Sequence, residues 1–215
     1  KRGATILVES GLEGITSTLP APLNKARADV LPLRFERTVV AEDQGSGWTG
    51  PPVADRSTLD LGDVVRMEMQ RRRVGGNMVI ERGAIGINEA PRLPEKGIVI
   101  GGNAPELDLD QWLHVLSGSG AAPALLSTLK LKVGALDVYG KRINDATLPA
   151  GFQGSDWLAN ISARELSGEV RWRSVGKGRV SARLAHFTFP EPTLGKLADD
   201  APRTELPGLD IVADN

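Results

Sequence analysis

Few residues of this 215-residue chain are of the types that do chemistry. The two histidines, His114 and His186, have no cysteine anywhere in the chain to complete a zinc site with them. No G-x-S-x-G elbow offers a serine nucleophile either, so no hydrolase constellation assembles. We expect no catalytic residue, no metal site and no enzyme. Gly45-Ser-Gly-Trp-Thr-Gly50 matches the glycine fingerprint of dinucleotide sites, but that turn has to open a helix whose N-terminus meets pyrophosphate. Pro51 and Pro52 follow instead, so the stretch reads as loop and no cofactor is expected.

The charged and aromatic candidates have ordinary readings too. Asp108 and Asp110 resemble an acid and base pair, yet Asp108 stands where a helix N-cap belongs and the helix dipole favours both. Arg71-Arg-Arg73 would suit a phosphate, but three charges near a hairpin end are read as a solvated tip that discourages edge pairing. Trp112, Trp157 and Trp172 would suit a sugar platform; with aromatics only 4% of the chain, they are expected as core anchors.

What remains is apolar alternation, which places elements rather than reactive groups. Residues 5–9 and 31–41 alternate as strands, and the two prolines within residues 14–25 favour an extended loop between them. Residues 43–57 are rich in glycine and proline and read as loop. Val65, Met67 and Met69, then residues 78–87 beyond Gly75-Gly76, read as a hairpin, and residues 98–100 as a short strand.

The period then changes. Leu109, Trp112, Leu113 and Leu116 fall at i, i+3, i+4 and i+7 behind Asp108, with Gln111 at the capping-box position, which predicts one amphipathic helix over about 108–117 that packs on a sheet. Strand period resumes at Leu129, Leu131 and Val133 and slips at Gly134 to Leu136 and Val138, the mark of a bulge. Trp157 and Ile161, Val170 and Trp172, then Val180, Ala182 and Leu184 complete a meander with one dry face. Residues 190–208, with four prolines, read as a linker. The fold class is thus mainly β: a curved, elongated antiparallel sheet or groove with a single short helix.

Composition narrows the partners. Twenty-six basic against 27 acidic residues give a net charge of -1, so no global field recruits nucleic acid. No run approaches the roughly 20 apolar residues of a membrane span. The chain opens at Lys1 and reaches strand-like sequence at both ends, so residues 1–215 are expected to be one segment of a longer protein.

Several stretches spread along the chain carry a family resemblance: residues 9–25, with Thr18-Leu-Pro-Ala-Pro-Leu-Asn-Lys25, then Leu107-Asp-Leu-Asp-Gln-Trp-Leu113, Leu136-Asp-Val-Tyr-Gly-Lys-Arg142, Leu166-Ser-Gly-Glu-Val-Arg-Trp172 and Leu206-Pro-Gly-Leu-Asp-Ile-Val-Ala-Asp-Asn215. In this order they resemble YhdP-type proteins of the AsmA-like superfamily, relatives of TamB, with Asn24 where that family's loop is expected to carry glycine. The resemblance implies a long, inner-membrane-anchored protein of the Gram-negative envelope that crosses the periplasm as an apolar β-groove. It also implies phospholipid transport in support of the outer-membrane permeability barrier, without catalytic residues. The partners it implies are phospholipid acyl chains, the rest of the same long chain and other envelope proteins. An acyl chain gains about 0.8 kcal/mol per buried methylene, so an apolar trough suffices to hold it. The candidate groove lining is Leu129, Leu131, Val133, Leu136, Val138, Val170, Trp172, Val180, Ala182 and Leu184, with Lys130, Lys132, Arg171 and Arg173 as its polar rim. A scaffold or docking module for envelope proteins, its apolar face closed as core, is the alternative.

Overall fold

The computed structural model describes residues 4–40, 54–118, 126–138, 140–153, 156–173, 179–188 and 208–213. The alternating stretches form strands β1 (Thr5–Ser10), β2 (Leu33–Val40), β3 (Ala54–Leu61), β4 (Val65–Val74), β5 (Asn77–Ile87) and β6 (Gly97–Asp108). Helix α1 (Leu109–Gly118) follows, then β7 (Leu126–Val138), β8 (Lys141–Gln153), β9 (Asp156–Ser162), β10 (Leu166–Arg173), β11 (Arg179–Phe187) and β12 (Gly208–Ala213). Strand order in the sheet is chain order throughout, the arrangement that short local connections favour. The chain divides into two compact units: β1 to β5 with the first half of β6, and the second half of β6 with α1 and nearly all that follows.

In the first unit β1 to β5 pair antiparallel, and β4 and β5 are the hairpin expected around Gly75-Gly76. β6 then runs parallel to β5, Arg82 opposite Gly97 through Ile87 opposite Gly102. An antiparallel continuation would need only a turn, whereas residues 88–96 run back along β5 before the next strand starts. Nine extended residues reach about 30 Å, enough to retrace the paired stretch. The return passes close to β5, where a Cβ on Gly86 would lie 2.3 Å from the Glu89 carbonyl oxygen, and where β6 pairs with β5 a Cβ on Gly102 would lie 2.0 Å from that of Ile87. Two glycines are therefore needed where backbone meets backbone.

In the second unit β7 to β11 pair antiparallel in succession and β12 runs parallel to β11. The mainly-β class, with one helix among the described residues, is as expected; the two parallel pairs found there are departures from an all-antiparallel sheet. The phase slip at Gly134 is also real, but it is no bulge between β7 and β8. Val133 pairs with Ala146 and Leu136 with Ile143 in one continuous register, and all four side chains are buried. Both strands shift phase together, β8 through Asp145, whose φ of 53° interrupts two-residue alternation. True register shifts lie at Gln70/Arg71 against β5 and at Ser167/Gly168 against β11.

Two loop boundaries change. Residues 54–57 belong to β3, because Asp55 and Ser57 continue its pairing with Arg71 and Met69, and Gly208 opens β12. The rest of the 43–57 loop up to residue 53, including the glycine fingerprint at 45–50, and residues 190–207 lie outside the described residues. The helix begins as its cap predicts: Asp108 Oδ1 accepts from the Gln111 amide at 2.9 Å. Its apolar stripe is looser than expected, since Leu113 is 48% exposed while Leu109 and Trp112 are half-buried. The Trp112 indole also donates to the Ala21 carbonyl at 2.8 Å. Two of the stretches that carry the family resemblance thus meet.

Candidate functional site

Strand register turns the alternation into faces. In the first unit Val8, Phe35, Leu59, Met67, Ile85 and Ile100 are successive cross-strand partners, so six strands contribute one apolar row. Leu33, Leu61, Val65 and Ile87 form a second row beside it. Five members of the first row are half-buried and Val8 is 46% exposed. The other face is ionic: Arg34 bridges Glu9 and Glu36, Arg56 meets Glu68 at 2.9 Å, and Arg66 meets Asp63 at 2.7 Å. Gly86 lies on that ionic face with Arg66 and Glu68, so the 88–96 return crosses there. Among the described residues of this unit only Ala84, also on the ionic side, is a buried apolar side chain.

Most of the buried apolar residues are in the second unit, and the sequence-derived lining divides accordingly. Leu131, Val133, Leu136 and Leu184 are buried at 2–7% exposure, Leu129, Val138, Val170, Val180 and Ala182 are half-buried, and Trp172 is 38% exposed. Eight of these ten fall on one face by register: Leu129, Ala150, Ala159, Val170, Ala182 and Ile211 are successive partners across β7 to β12. Leu136 and Val138 lie beyond the phase shift, paired with Ile143 and Lys141. Lys130, Lys132, Arg171 and Arg173 are exposed and alternate onto the opposite side. There Arg173 also holds the buried Asp156 through two contacts of 3.0 Å.

Of the three tryptophans expected as core anchors, Trp112 and Trp157 are half-buried and Trp172 departs. Phe152 pairs with Trp157, and Trp157 with Trp172, so three aromatic side chains stand in one row on the apolar face. Phe152 and Trp157 rings are 4.9 Å apart and tilted by 57°. Phe152 and Trp172 remain substantially exposed, whereas the Trp157 Nε1 is buried without an acceptor. The row was not legible from spacing, because it needs the β8 to β10 register.

The arginine run departs too. Arg71 is no solvated tip: its Nε and Nη2 reach Asp55 at 2.9 and 2.7 Å, while Arg37 Nε and Nη2 reach the same carboxylate at 2.9 and 2.5 Å. Burial pushes the Asp55 carboxyl up, and the hydrogen bonds from Arg71 and Arg37 outweigh it, leaving its pKa below the ordinary value. His186 Nε2 lies 3.1 Å from Thr188 Oγ1, and both histidines are exposed. Asp108 caps the helix, and Asp110 Oδ2 accepts from the Gly140 amide at 3.3 Å. The contacts of Asp108 and Asp110 are those of a helix cap and a turn, as the capping reading expects. No helix among the described residues is long and apolar enough to cross a membrane.

A family model described as YhdP protein matches residues 2–215, nearly the whole chain. No curated protein and no solved structure matches it.

Proposed function

Because the chain belongs to the YhdP family, we propose that it is a periplasmic segment of an inner-membrane-anchored, bridge-like phospholipid transport protein that holds acyl chains on its apolar sheet faces. The observation that carries this reading is the row from Val8 to Ile100: six strands wide, apolar at every position, half-exposed, and on the side away from the 88–96 return. An ordinary two-layer domain would cover such a row with a second layer. Its members offer acyl chains similar surface on every strand and no polar group that would trap one, so chains slide without a chemical step.

Lipid extraction and mass spectrometry of the folded, purified chain tests the reading. It expects co-purified phospholipid; a folded sample with none, which also takes up none when offered, contradicts it. The buried set around Leu131, Val133, Leu136, Ile143 and Ala146 favours the second reading, a docking module with a closed core, for that part of the second unit. A protein partner that masks Val170 and Ala182 while lipid fails to bind would support it.

A further inference from the structure

The apolar face of the first unit is interrupted at one place, and the interruption is charged. Val39, Asp55 and Arg71 are cross-strand partners, with Arg37 next along β2 and Arg73 farther along β4, on the same side as Phe35, Leu59 and Met67. Asp55 is almost wholly buried, 2% of its side chain exposed, while Arg37 and Arg71 keep 37% and 29% of theirs. A guanidinium has five N–H donors, and each arginine directs two at Asp55. One carboxylate thus orients two guanidinium groups and neutralises one. The remaining positive charge sits at the margin of an apolar surface, where Ile6, Met69 and Ile98 are the neighbouring apolar positions in the rows across Arg37 and Ser57. On the opposite face, by contrast, Arg34, Arg56 and Arg66 each have an acidic partner of their own.

A fixed pair of guanidinium forks beside an apolar row suits one kind of ligand: an anion joined to hydrocarbon. We propose that Arg37 and Arg71, oriented by Asp55, seat the phosphate of an anionic phospholipid whose acyl chains lie on the adjoining apolar rows. The proposal rests on the lipid-binding reading and adds a headgroup preference to it. Guanidinium and phosphate match as two parallel hydrogen bonds, and Asp55 already holds both side chains, so little ordering is left for the ligand to impose. A zwitterionic head brings its own cation toward the surplus positive charge and gains less.

The test compares short-chain phosphatidylglycerol with phosphatidylcholine of the same acyl chains, and with inorganic phosphate alone, binding to the chain. Phosphatidylglycerol should bind about tenfold tighter than phosphatidylcholine, the scale of one charge-assisted hydrogen bond. Arg71→Gln should abolish the difference, weakening phosphatidylglycerol more than phosphatidylcholine. Asp55→Asn should widen it, because the surplus positive charge at the seat rises by one while the asparagine oxygen still accepts from a guanidinium; an ion cluster with a purely structural role would give no such gain. If Arg71→Gln fails to fold, Asp55→Asn decides alone. Equal affinity for the two lipids, or an Asp55→Asn chain with an unchanged preference, overturns the headgroup seat but not acyl-chain binding. Inorganic phosphate binding as tightly as phosphatidylglycerol overturns it by pointing to a free-anion site. Binding of neither lipid overturns the acyl-chain reading, and the seat with it.

Discussion

At the scale of single residues, Asp55 is the group with the clearest energetic signature. Its carboxyl is held below its ordinary pKa, so its contribution is complete above the unfolded value of about 3.9 and is lost as pH falls through the lower folded value. Urea unfolding should therefore show stability level near neutral pH and falling below about pH 4, and Asp55→Asn should flatten part of that acid limb. At pH 7 the same substitution should cost about 1 kcal/mol rather than several, because the arginines it releases already face solvent. This cluster was not legible in the sequence. Arg37 and Arg71 stand 18 and 16 positions from Asp55, and only the β2, β3 and β4 register brings them together. The dry positions were legible: Leu131 and Val133 alternate with Lys130 and Lys132, Leu184 keeps the period of Val180 and Ala182, and all three are buried. Trp172 misled because a large aromatic side chain reads as core on composition alone, whereas its row partners leave it 38% exposed.

At the scale of elements, hairpins and the helix were legible because their signals are local: Gly75-Gly76 between alternating runs, and Asp108 ahead of a helical period. Strand direction was not, since a stretch such as residues 98–100 alternates identically whether it runs parallel or antiparallel. The parallel β5 and β6 pair depends instead on backbone clearance. Gly102 has φ +125° and no room for a Cβ, so Gly102→Ala should cost about 2–4 kcal/mol, read as a lowered urea midpoint. Gly75, at φ +57° with no atom within 4 Å of its Cβ position, is the control: Gly75→Asn should cost about 1 kcal/mol or less. Equal losses at the two sites would remove close approach as the reason for the glycine at 102. The helix end gives a smaller effect: Asp108→Ala should cost about 1 kcal/mol by loss of the cap.

At the scale of the whole molecule, each unit closes in the same way: five strands in antiparallel succession, then a sixth parallel to the fifth. A device used twice leaves each unit with one apolar and one charged face. The second unit offers an optical handle in Trp172, 38% exposed on its apolar face beside the half-buried Trp157. Phospholipid with brominated acyl chains should quench tryptophan emission, and Trp172→Phe should remove much of the quenching; unchanged quenching would place the chains elsewhere. The central claim, that acyl chains lie on one face only, is tested most directly by site-specific photo-crosslinking. Val133 and Leu184 are buried and make poor probe sites, so the probes belong at Ile85 and Val170 on the apolar faces, with Glu68 and Arg171 as controls on the charged ones. Phospholipid adducts at Ile85 and Val170 and none at Glu68 and Arg171 is the predicted result; equal adducts on both faces, or none from folded protein, would contradict the account.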